Sequence, residues 1–150
     1  LNITALTYLT HLYLPGMVQR KNGKILNVAS TAAFQPGPLM SIYFATKAFV
    51  LFFSEAIANE LEGTGVTATA LCPGATESGF QAAASMDESR LFKGKKIPSS
   101  KEVAGYGYKA MMQGKVVAIH GIKNYLLAQG ARISPRSLTV KVARWMQDKS

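Results

Sequence analysis

The 150 residues are 48% hydrophobic and 17% charged, and 17 Lys and Arg against 8 Asp and Glu give a formal charge of +9. That balance excludes a disordered chain and suffices for one domain with its own core. The single cysteine, Cys72, excludes an internal disulfide framework and a cysteine-rich zinc site, and makes a reducing, cytoplasmic compartment the default expectation.

Residues 1–19 read as a helix with Ile3, Leu6, Leu9 and Leu14 among its apolar positions. It carries no start signal, and Leu1 is not an initiator methionine, so the expectation is a piece of a longer chain. Gly23 breaks the pattern, and Lys24 to Ser30 reads as a short buried strand. Pro36-Gly37-Pro38 marks a loop. Residues 41–62 are the longest predicted helix. It is apolar nearly all round, which implies burial on two sides, one against a sheet and one against a partner subunit. Its densest apolar run, Ala48 to Phe53, lies between Lys47 and Glu55. That run is far short of the ~20 residues that cross a bilayer, so neither a signal peptide nor a spanning helix is predicted.

Gly63-Thr64-Gly65 reads as a turn, and Val66 to Cys72 as a second strand ended by Pro73-Gly74. Residues 75–100 are polar, small and irregular, with Lys93-Gly94-Lys95-Lys96 inside. Ser100 is the predicted cap of a helix over 101–113, with Glu102 in its first turn. Gly114 stops that helix, and Lys115 to His120 reads as a third strand bounded by Gly121. Residues 122–148 read as two helical pieces broken near Ser134-Pro135. Alternating helices and strands imply an α/β fold, a parallel sheet covered by helices. Three strands are few for such a sheet and leave an edge bare.

Basic residues gather at Arg20 to Lys24, Arg90 to Lys101, and Lys123 onward. They would suit nucleic acid, an anionic membrane or a phosphate-bearing ligand. Without a nucleic-acid motif or aromatic interleaving, a solvated surface is the simpler reading: no nucleic-acid partner is expected and membrane association is not indicated.

Tyr43 and Lys47 stand four apart on the long helix. That spacing brings a phenol and an ammonium to one face, about 5–6 Å apart at Cβ. A nearby ammonium favours the phenolate, and the pair can deliver or remove a proton. Ligands of open parallel sheets bind at the carboxyl ends of the strands. Ser30, Pro73-Gly74 and His120 all fall there, and Tyr43 and Lys47 open the helix that follows the Ser30 loop.

Asn27-Val28-Ala29-Ser30, then Tyr43 thirteen residues on in a Tyr-x-x-x-Lys pattern, then Pro73-Gly74 thirty residues further, resembles the short-chain dehydrogenase/reductase family. The resemblance covers essentially the whole chain but only the C-terminal part of the family's Rossmann-like, doubly wound domain. It implies an NAD(P)-dependent oxidoreductase interconverting a carbonyl and a secondary alcohol. Tyr43 would be the general acid or base. Lys47 would assist it and bind the nicotinamide ribose, Ser30 would hold the substrate oxygen, and Asn2 would support a proton-relay water. Thr31 is a neighbouring hydroxyl that breaks the thirteen-residue spacing. Pro73-Gly74 would approach the nicotinamide, with Thr76 and Ser78 competing to hold its carboxamide.

His11 and His120 read as structural, no metal is assigned, and Cys72 reads as a strand residue rather than a nucleophile. Gly63-Thr64-Gly65 has a helix before it and a strand after it, the reverse of a phosphate loop. The family's glycine-rich phosphate loop and the residue that selects NAD or NADP find no match, so these 150 residues alone are not expected to bind a dinucleotide normally or to be active. Residues 77–100 would form much of a substrate lid. The resemblance also implies a homo-oligomer through helices 1–19 and 41–62. Two readings compete with the enzyme: a noncatalytic relative used for binding or regulation, and a basic interaction module.

Overall fold

The computed structural model describes residues 1–77 and 97–147. Its elements run α1 (Thr4–Gln19), β1 (Gly23–Val28), a 3-10 turn (Thr31–Phe34), α2 (Ser41–Glu60), β2 (Val66–Cys72), α3 (Ser100–Met112), β3 (Val117–Ile119), α4 (Ile122–Ile133) and α5 (Arg136–Gln147). Among the described residues the strands form one sheet in the order β1-β2-β3, parallel throughout, with Gly23 opposite Val66 and Ala70 opposite Val117.

Side-chain alternation sorts the helices onto two faces. Val66, Ala68, Ala70 and Cys72 of β2 turn to one side, where they meet Val50, Leu51, Ile57 and Leu61 of the α2 region together with Leu6, Leu14 and Met17 of α1. Leu71 turns to the other side and meets Val103 and Ala110 of α3, with Leu26 and Ala118. β2 is central and buried almost along its whole length, as a strand covered on both faces must be.

Among the described residues, a buried side-chain hydrogen bond crosses the larger core. Asn27 of β1 is buried, and its side-chain amide donates to the hydroxyl of the fully buried Ser54 on α2 at 2.9 Å. That hydroxyl donates in turn to the Val50 carbonyl at 2.7 Å. The pair fixes α2 in register along β1.

Several expectations shift by a residue or two. Leu1 and Asn2 do not continue a helix: they precede α1, whose first bond runs from the Thr7 N–H to the Ile3 carbonyl. Ser99, not Ser100, caps α3. Ser99 is extended and its hydroxyl accepts from the Glu102 N–H, whereas the Ser100 hydroxyl donates to the Glu77 carbonyl. The third strand is shorter than Lys115 to His120, because α3 closes on Gly114 (φ 68°) with Gly114 N–H to Met111 and Lys115 N–H to Ala110. Those bonds satisfy the last helical carbonyls and draw Lys115 out of the strand.

By length and composition α2 is apolar enough to cross a bilayer, which its short apolar run understates. Here it lies along the sheet with Val50, Leu51, Ser54 and Ile57 buried, while Ile42 and Phe52 are 79% and 63% exposed.

Ser54→Ala strands the buried Asn27 amide and is expected to cost about 1–3 kcal/mol in urea denaturation. Adding Asn27→Leu should recover part of that loss; a further loss of similar size would show that the two residues act independently.

Candidate functional site

The site begins where β1 and β2 end side by side. Ala29 extends the ladder by donating to the Leu71 carbonyl at 2.8 Å, and the Thr31 N–H reaches the Pro73 carbonyl at 2.9 Å. These bonds tie the Ser30 turn to the Pro73-Gly74 turn. Ser30 caps the 3-10 turn by accepting from the Ala32 N–H at 3.1 Å. Its own hydroxyl points at the Pro73 carbonyl from 3.5 Å, at the limit of a hydrogen bond, so its proton is easily turned to another acceptor.

From there the chain runs through Pro36-Gly37-Pro38 into α2. Gly37 is buried against the Phe44 ring: a Cβ on residue 37 would come within 2.2 Å of it. That close approach pins the loop onto the first turn of α2, where Tyr43 lies half-buried beside Phe44 with ring centroids 5.9 Å apart, edge to face.

Lys47 is one turn on. Its ammonium lies 5.9 Å from the centroid of the Tyr43 ring, within cation–π range, and donates to the Val28 carbonyl at 2.8 Å. Lys47 therefore joins the start of α2 to the carboxyl end of β1. An ammonium has three donors, and Val28 takes one. Partial burial lowers the Lys47 pKa, and the negative charge that would oppose this shift is a Cys72 thiolate. The Cys72 thiol, however, is fully buried, and desolvation raises its pKa to about 12, with Glu55 adding to the shift and the Ser30 backbone and Lys47 opposing it. Cys72 is neutral at ordinary pH, so it forms a dry floor near Lys47 and offers no counter-charge.

Asn2 enters this site from an unexpected direction. Its amide donates to the Thr46 hydroxyl at 3.2 Å, and Thr46 donates to the Tyr43 carbonyl at 2.9 Å. Asn2 and Thr46 thus support the turn of α2 between Tyr43 and Lys47. Thr46 carries no motif signal in the sequence.

At the other strand end, Thr76 folds back, its hydroxyl donating to the Gly74 carbonyl at 3.0 Å. Ser78 and most of the lid segment lie outside the described residues. The two ends of that segment meet: the Glu77 N–H donates to the Pro98 carbonyl at 2.9 Å, and Glu77 bridges Ser99. His120, after β3, stands 3.3 Å from Glu102 and edge-on to the Tyr106 ring, while the Tyr106 hydroxyl donates to the Ile119 carbonyl. Sequence reasoning missed Asn124. Its amide donates to the His120 carbonyl at 2.7 Å and fills the space where a Cβ on residue 74 would stand, 2.5 Å away. Position 74 is glycine for this close approach, and Asn124 ties the start of α4 to the Pro73-Gly74 turn.

The family model for short chain dehydrogenase matches residues 1–89. A short chain dehydrogenase of Pseudocercospora fijiensis is 44% identical over 77 residues, which are 51% of this chain and 25% of that protein. The human very-long-chain 3-oxoacyl-CoA reductase is 44% identical over 73 residues, 49% of this chain and 23% of that protein. Among solved structures, a short-chain dehydrogenase from Sphingobium yanoikuyae in complex with NADPH superposes with a TM-score of 0.72 at 33% identity, covering 88% of this chain and 52% of that one. A 7beta-hydroxysteroid dehydrogenase shares the fold, with a TM-score of 0.73 at 23% identity over 95% of this chain and 55% of that one. The chain therefore spans about half the length of these solved chains, and its matched segment about a quarter of the curated relatives.

Two outcomes follow from the geometry. Gly74→Ala should destabilise the chain by roughly 1–3 kcal/mol through overpacking. Asn124→Ala on the same background should restore most of that, since it empties the contested space; no recovery in thermal or urea unfolding would place the clash elsewhere. Separately, the Cys72 pKa is raised from 9.0 to about 12. The unfolded chain then ionises first, so stability present below pH 9 is lost as pH rises toward 12. Cys72→Ala should flatten that alkaline decline in urea denaturation.

Proposed function

Because the chain belongs to the short-chain dehydrogenase family, we propose that it forms the proton-handling side of an oxidoreductase that interconverts a carbonyl and a secondary alcohol. The observation that carries this reading is the placement of Lys47. Its ammonium lies over the Tyr43 ring and bonds the last residue of β1, at the carboxyl edge where ligands of parallel sheets bind.

In the reducing direction the Tyr43 hydroxyl gives its proton to the carbonyl oxygen, which becomes the alcohol oxygen; in the oxidising direction Tyr43 takes that proton back. The Ser30 hydroxyl, loosely engaged at 3.5 Å, donates to the same oxygen and holds it. Lys47 presents its remaining donors to sugar hydroxyls and supplies positive charge beside Tyr43. Asn2 and Thr46 keep the intervening turn in place.

A nicotinamide dinucleotide, when bound, supplies or accepts the hydride at carbon. The residues at hand fit one end of such a group. Gly74 removes a Cβ at the turn, the Thr76 oxygen can accept from a carboxamide, and Lys47 faces the same edge. For the phosphates, the sequence has no glycine-rich turn from strand into helix, so we assign their binding to residues beyond these 150. The choice between NAD and NADP goes with them. The exposed apolar residues of α1 and α2, among them Leu9, Leu12, Tyr13 and Phe52, support self-association through these helices, and light scattering on the full-length protein checks it.

The test is carbonyl reduction by the full-length protein with NADH and NADPH. Tyr43→Phe, which removes only the hydroxyl, is expected to lower kcat by about 100-fold or more with unfolding unchanged. Unchanged turnover would remove Tyr43 from the chemistry. Absence of dinucleotide binding by the full-length protein would favour a noncatalytic member of the family.

A further inference from the structure

The charge of this chain is segregated. All eight acidic residues lie outside Val103 to Gln147, and that stretch carries seven Lys and Arg. Five of them, Lys123, Arg132, Arg136, Lys141 and Arg144, are exposed on α4 and α5. Positive charge alone would be an ordinary solvated surface.

The apolar side chains of the same helices are what charge does not explain. A helix at the surface of a water-soluble domain buries its large apolar residues and exposes its polar ones. α5 does the reverse. Its buried residues are Thr139, Ala143 and Gln147. Leu138, Val142 and Trp145, at i, i+4 and i+7, form a stripe on another side, and they are 51%, 45% and 61% exposed. Lys141 borders that stripe on one side, with Arg144 further round the same side, and both are exposed. α4 repeats the inversion: Ala128 is buried, while Ile122, Leu126 and Ile133 are 74%, 63% and 87% exposed.

We propose that α5, through its apolar stripe and its own cations, docks on an anionic lipid surface. Such a surface accounts for both features at once. Its headgroups attract the acid-free set of cations, and its headgroup–acyl boundary takes the apolar stripe, with an indole at the depth where tryptophan is enriched. A nucleic-acid backbone would satisfy the cations and leave the stripe in water.

The experiment is co-sedimentation of the full-length protein with vesicles of phosphatidylcholine alone and with about 30% phosphatidylserine. Binding is expected only to the anionic vesicles and should weaken as salt shortens the screening length. Trp145, the one tryptophan in this sequence, should shift its emission to the blue on binding. Lys141→Glu with Arg144→Glu should lower partitioning by about 25-fold or more, since each surface cation contributes about fivefold. Leu138→Ser with Val142→Ser should lower it by about tenfold with the charges intact. Both pairs alter exposed side chains, and unchanged circular dichroism and unfolding midpoints keep the comparison clean. Equal binding to neutral vesicles, or none to either, overturns the proposal. So does oligonucleotide binding that tracks the charges and ignores the stripe, or a self-association by light scattering that the stripe variants abolish in place of vesicle binding. None of these outcomes depends on Tyr43 or on a cofactor.

Discussion

Everything at the carboxyl edge of the sheet depends on how α2 lies along β1 and β2. The hydrophobic part of that contact, Val50, Leu51 and Ile57 against the inward residues of β2, sets the distance and the face of α2 that is buried. The buried Asn27–Ser54 hydrogen bond sets the register. A shift of α2 by one residue would strand the buried Asn27 amide, while Ser54 keeps its bond to Val50 within the helix, at a cost of about 1–3 kcal/mol, a fair fraction of a small domain's stability. With the register fixed, Tyr43 and Lys47 fall at the end of β1, and Lys47 closes the arrangement by bonding Val28. Core polarity and site geometry are one constraint met at two points along the same helix.

The electrostatics follow from the same packing. Lys47 is partly desolvated where it reaches from α2 to the end of β1, and its pKa falls for that reason. Cys72 is desolvated more fully, stays protonated, and cannot offset the shift. Among the described residues the ammonium is therefore held by one carbonyl and an aromatic face, both neutral. A full counter-ion would have fixed it more firmly and left it less available to a ligand.

Much of this was legible in the sequence because it rests on local rules. The strand and helix alternation followed from runs of apolar residues and glycine punctuation, and the α/β class from their order. Tyr43 and Lys47 were legible as an i, i+4 pair, and Ser30 and Pro73-Gly74 as strand ends. What stayed hidden are contacts between residues far apart in the chain. Asn124 and Gly74 share one volume, Asn2 reaches Thr46, and Ser54 answers Asn27. Asn124, Thr46 and Ser54 look like ordinary polar residues until the fold brings each to its partner, and even for Asn2 and Asn27, which the motif marked, the partner itself was not legible. The cap at Ser99 was misread for a related reason: the distant Glu77 carbonyl engages Ser100 and leaves Ser99 to satisfy the helix.

The C-terminal helices show a deeper reason why pattern alone falls short. An amphipathic sequence defines an axis of polarity but not its direction. In α2 the axis points as expected, with Leu51 and Ile57 inward, and the excess of apolar residues spills onto the outer face at Ile42 and Phe52. In α5 the small and polar residues Thr139, Ala143 and Gln147 form the inner contact, and Leu138, Val142 and Trp145 are left outside among the cations. A buried face of small residues permits close approach but removes little apolar area from water, so it holds α5 weakly. The exposed stripe is the larger unrealised hydrophobic gain, at about 25 cal/mol for each Å² that a partner would cover. That imbalance, with positive charge beside it, is what the proposed anionic lipid surface would complete.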